Sequence, residues 1–172
     1  MKFALISTAI VAVVATFGDW VWATFLSRHL AVAGMVHGAL LCLTMGAVLA
    51  GPGGRALAGA AAGIGVGVAA AALFYLLAPV LRMGAMLPAW FALWVMLSAV
   101  TRSLAGAPRS WTETITRGVI AGVLSGAAFY LVSGMWTRWD PSRINYLDHL
   151  ARWAFAFAPG FLALQIPRRA PV

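Results

Sequence analysis

Charge is what this sequence lacks. Of its 172 residues only 9% are charged, and four are acidic. A soluble domain carries roughly 25% charged residues, so the chain cannot solvate a globular surface of its size. That excludes a soluble enzyme, a nucleic-acid-binding module and a disordered chain. Cysteine is nearly absent too: the single Cys42 excludes a disulfide scaffold and a Cys-based zinc site. It sits in an apolar run and reads as a small packing residue. Histidine is scarce, with His29, His37 and His149 alone. A di-iron membrane oxygenase needs a larger histidine cluster, so that class is excluded. Haem would need two histidines on facing helices, and only His37 lies well inside an apolar stretch. No metal site or cofactor is expected.

Apolar residues are what is there, at 63% of the chain. A bilayer-spanning helix takes about 20 of them in a row. Six segments qualify: 3–26, 30–50, 55–81, 83–104, 115–137 and 146–166. Gly51-Pro52-Gly53-Gly54 breaks the chain between the second and third. Polar loops follow the fourth and fifth. The connections are short, so neighbouring helices run antiparallel. The expected fold is all-α, a single polytopic membrane bundle of six transmembrane helices. The first segment resembles a secretory signal as far as Val13-Val14-Ala15, but its apolar run continues through Trp20, Trp22 and Leu26. A retained helix is expected.

The net charge of +8 reads as topology rather than as affinity for nucleic acid. One side of the membrane would hold Lys2, Arg55, Arg102, Arg109, Arg117, Arg168 and Arg169. The other would hold Arg28, Arg82, Arg138, Arg143 and Arg152. The bias predicts both termini in the cytoplasm. Arg greatly outnumbers Lys and Ala is abundant, as in GC-rich bacterial genomes, so a bacterial inner membrane is the expected location.

Small residues recur every fourth position, at Gly34 and Gly38, at Gly59, Gly63 and Gly67, and at Gly118, Gly122 and Gly126. Such stripes let backbones approach closely. They serve either packing within the bundle or docking of a partner helix, a lipid chain or a second copy. Asp19 is an acid within an apolar stretch, about 10 Å from the helix end. It is either part of a structural ion pair, with Arg28 or His29 at hand, or a polar anchor for a ligand head or proton. His37 reads as a hydrogen-bonded polar residue inside the bundle. Trp90 and Trp94 lie four apart after Pro88. They either pack in the core or membrane belt, or line a ligand pocket; Phe129 and Tyr130 are their candidate companions. The densest polar cluster includes Arg138, Asp140, Arg143, Tyr146, Asp148, His149 and Arg152. Asp148 and Arg152 suit an i,i+4 ion pair. The cluster is either a wet interfacial cap or a mouth for a ligand head. Ser125 lies in no nucleophile elbow, and neither a P-loop nor an acid pair is present. No catalytic residue is assigned.

Trp90–Thr101 ends in Arg102, and a short loop leads into the Gly-rich fifth segment. Tyr130, Asp140-Pro141 and Tyr146 follow. Arg152-Trp153 then opens a Phe- and Gly-rich last segment, closed by Gln165, Arg168 and Arg169. Over residues 83–169 this arrangement resembles the Insig family of small six-helix membrane proteins. Family members carry a Ser-Pro-Asp order in the last loop, where this chain reads Asp140-Pro141-Ser142. The resemblance implies a non-enzymatic lipid or sterol sensor. It would hold a hydrophobic ligand, such as diacylglycerol in a bacterial relative, and pair with membrane proteins through helix faces. The ligand-binding candidates are Asp19, His37, Trp90, Trp94, Phe129, Tyr130, Arg143, Tyr146, Asp148 and Arg152. A small transporter with a 3+3 helix arrangement and an intramembrane lipid-modifying enzyme are the alternatives.

Overall fold

A computed structural model describes residues 1–26, 28–105, 110–132 and 145–165. Among them the chain is helical and contains no strand. The order is α1 (Lys2–Val21), α2 (Leu30–Ala50), α3 (Ala56–Leu81), α4 (Met86–Ala105), α5 (Trp111–Val132) and α6 (Tyr146–Gln165). Among the described residues, four stretches are long and apolar enough to cross a membrane: Lys2–Leu26, Leu30–Gly53, Ala56–Leu104 and Trp111–Val132. The third runs through both α3 and α4. Helices suit such a chain because each satisfies its backbone polar groups internally.

Local chemistry sets the helix ends. A π-helical turn, Trp22–Leu26, closes α1. The Gly-Pro-Gly of residues 51–53 forms a 3-10 turn, and Gly54 takes φ 70°, a left-handed conformation that glycine adopts without penalty. A second 3-10 turn, Arg82–Ala85, delays α4 to Met86, three residues after its expected start. Arg82 enters this turn with φ 52°. Conversely, α5 starts at Trp111, four residues early. Ser110 caps it, its Oγ accepting from the Glu113 amide at 3.1 Å, and Glu113 favours the helix N-terminus. Asn145 likewise caps α6, accepting from the amides of Leu147 and Asp148.

Sequential helices pack side by side, and α6 returns against α1, so the bundle closes on itself. The α2–α3 pair is the most intimate. A Cβ added at Gly46 would strike the Gly59 carbonyl, and one at Gly67 the Gly38 carbonyl. On α5, Gly118 and Gly122 lie against the backbone of α4 at Val95 and Phe91. The glycine stripes are thus taken up inside the chain.

Pro159 interrupts α6, where it removes an amide donor. Ser125 of α5 mends the gap beside it. Its hydroxyl donates to the Ala156 carbonyl at 2.7 Å and accepts from the Gly160 amide at 3.1 Å. Two groups of one helix are thereby satisfied by a neighbour, as burial requires.

Candidate functional site

A cavity of about 540 Å³ lies inside the bundle, within the range that small-molecule sites occupy. Every helix contributes to its wall. Asp19 and Trp22 come from the end of the first span, His37 and Leu41 from α2, and Ala70, Ala71, Phe74 and Tyr75 from α3. From α4 come Trp90 and Leu93, from α5 Phe129, and from α6 Trp153 and Phe157. The glycines at 38 and 67 draw α2 and α3 together while Ala70 and Ala71 keep the adjoining wall shallow, so the space survives close helix packing.

One wall is a run of aromatic rings. Trp90 stacks on Phe129 at 4.8 Å between centroids and meets Phe157 at 5.0 Å. Trp153 lies 5.6 Å from Phe129 and 5.5 Å from Phe157. Offset contacts of this kind add to the stability gained by burial alone and give the cavity a firm apolar face.

The polar end is built around Asp19, which is 1% exposed. Its Oδ2 accepts from His149 Nδ1 at 2.8 Å and from Trp153 Nε1 at 2.7 Å. A carboxylate only accepts, so this geometry places a proton on His149 Nδ1. The His37 Nδ1 lies 3.8 Å from the other carboxylate oxygen, Oδ1, beyond a hydrogen bond. Among the described residues Asp19 Oδ1 accepts no hydrogen bond, and both ring nitrogens of His37 are buried without a partner. The His37 ring is held by aromatic contacts instead, tilted over Trp153 at 5.5 Å and edge-on to Trp22 at 6.2 Å.

The sequence candidates divide accordingly. Asp19, His37, Trp90 and Phe129 line the cavity. Trp94 does not: it is fully buried one turn further along α4, edge-to-face with Phe161 at 5.3 Å. Its close fit to Gly160 leaves no room for a Cβ there. Tyr130 and Tyr146 are both exposed. Asp148 and Arg152 form the i,i+4 pair at 2.8 Å, part-exposed, with Arg152 also donating to the Val132 carbonyl. Neither lines the cavity. Arg138, Asp140 and Arg143 lie outside the described residues.

Three expectations change. The partners of Asp19 are His149 and Trp153 rather than Arg28 or His29, because α6 packs along α1. His149 is buried, turned inward from the polar face that carries Asp148. His37 packs against Gly18, and among the described residues neither of its ring nitrogens meets a partner in good hydrogen-bond geometry. Trp153, Trp22 and Tyr75 escape a reading of the sequence as site residues. One signal was available: His149 and Trp153 are four apart, so they share a helix face distinct from that of Asp148 and Arg152.

Among the described residues, no group of three or more His, Cys, Asp or Glu side chains is placed to hold a metal ion. Comparison with protein-family models, with curated proteins and with solved structures finds no match to the chain.

Proposed function

We propose that this chain is a six-span integral membrane protein that holds a lipid-like hydrophobic ligand inside its bundle, without catalysing a reaction. The observation that carries the reading is the cavity itself: about 540 Å³, walled by aromatic and small apolar side chains, with Asp19 and His37 at a polar end. A site that is mostly apolar, with few polar groups to orient the ligand, is the usual form of a small-molecule pocket. Such a ligand, diacylglycerol-like or sterol-like, would enter from the bilayer. The resemblance to Insig proteins supports the same role, a sensor whose shape reports occupancy to a partner membrane protein. The proposed setting is a bacterial inner membrane with both termini in the cytoplasm.

A transporter is the second reading, favoured by the buried titratable group of Asp19, His37 and His149, since ionisable residues at membrane depth often mark ion or substrate paths. Flux into liposomes that Asp19→Asn abolishes would place it first.

The ligand reading is tested by purification in several mild detergents followed by mass spectrometry of extracted lipids. The wild type should retain one lipid species near one per chain. Ala71→Phe, which puts a ring into the cavity from α3, should lose it. Retention unaffected by Ala71→Phe, or no retained lipid in any detergent, would contradict the reading.

A further inference from the structure

The sign of charge at the polar end narrows the ligand, granted that the cavity is a ligand site. Asp19 is the one Asp, Glu, Lys or Arg side chain on the described cavity wall. Among the described residues its ion-pair partners are His37 and His149, each charged only if protonated. Among the described residues no lysine or arginine forms an ion pair with the carboxylate. Its Oδ2 is occupied by His149 and Trp153, whereas Oδ1 retains its full capacity to accept. Beside Oδ1 stands His37, nine-tenths buried, with neither nitrogen hydrogen-bonded among the described residues.

Trp22 and Trp153 stand at this end beside His37, and Trp90 lines the same cavity. The face of a tryptophan ring is its negative side, and it attracts cations more strongly than other side-chain rings do. A carboxylate in a low-dielectric bundle is costly, and its field decays slowly there because water does not screen it. Selection by sign therefore needs no direct contact with Oδ1. A phosphate or free carboxylate would meet a like charge, with no lysine or arginine on the described cavity wall. A cation would meet a carboxylate and aromatic faces, and an ammonium N–H would find open acceptors.

We propose that the cavity selects a hydrophobic organic cation, an apolar body carrying an amine or a quaternary centre, over neutral and anionic molecules of the same size.

Tetraphenylphosphonium and tetraphenylborate are near-identical in shape and opposite in charge. Their saturable binding to purified protein in an uncharged detergent is measured against protein-free micelles. The wild type should bind the phosphonium about tenfold tighter or more, the order expected for one charge at this range. Asp19→Asn should bring the two ions to similar affinity, and Asp148→Asn, at the surface of α6, should leave the preference unchanged. If Asp19→Asn does not fold, the two ions on the wild type decide the matter. Equal affinity, preference for the borate, or binding of neither ion overturns the proposal. A lipid that still co-purifies and is lost in Ala71→Phe would then leave the cavity reading standing, and its absence would remove both.

Discussion

Asp19 and Trp153 stand 134 residues apart and meet at 2.7 Å, the indole N–H of α6 donating to the carboxylate of α1. His149 shares the same oxygen from one turn away. The first and last helices are thus joined through one buried acid. Removing it takes a shared acceptor from two buried donors, which costs more than the net value of the bonds. Asp19→Leu should therefore destabilise the fold by about 3 kcal/mol, and Trp153→Phe, which keeps most of the ring, by about 1 kcal/mol. Reversible unfolding in mixed micelles measures both. Equal losses would show that ring packing, not the carboxylate, joins α1 to α6.

The α2–α3 contact depends on missing side chains. Gly46→Ala places a methyl against the Gly59 carbonyl and should cost about 1–3 kcal/mol through overpacking. Gly65→Ala, on the same pair of helices, meets nothing within 4 Å. It should be neutral or stabilise by up to about 1 kcal/mol through helix propensity. The two thermal midpoints in detergent make the comparison. Similar shifts would mean that the helices do not meet at Gly46.

Trp90 and Trp94 are expected to separate by function. Trp90 lines the cavity and Trp94 does not. Trp90→Leu should lower lipid retention more than stability. Trp94→Leu should lower stability by about 2–3 kcal/mol, through loss of a fully buried ring, and spare retention in the molecules that remain folded. Parallel lipid analysis and unfolding curves test this. Loss of retention in both variants to the same degree would count against the placement of the cavity.

Cys42 is fully buried on α2, and reaction requires an accessible thiolate. A maleimide should leave it unlabelled in the folded protein and label it on unfolding, giving a direct probe for the experiments above. Rapid labelling under native conditions would show that α2 does not pack as described.

The helices were legible because the apolar runs and their breakers are local: Leu30–Ala50 is bounded by the same residues in sequence and structure. The 3-10 turn at Arg82–Ala85 and the Ser110 cap were less so, since they depend on backbone geometry over three or four residues. Asp19 stood out as an acid among apolar neighbours, a property of its own segment. Its partners did not, because which helix packs on α1 is a tertiary fact that hydropathy does not encode. His149 was obscured by Asp148 and Arg152 beside it. The neighbours mark the surface of α6 while His149 points the other way. Trp90 and Trp94 share a spacing that suggests one face, yet the cavity passes under only the first.

The central claim is that the bundle encloses a ligand. Native mass spectrometry of the intact protein, released from mild detergent, tests it most directly. The account expects the chain mass plus one discrete hydrophobic adduct, reduced to the bare chain in Ala71→Phe. A bare wild-type chain under conditions that preserve the fold, or the same adduct on Ala71→Phe, would contradict it.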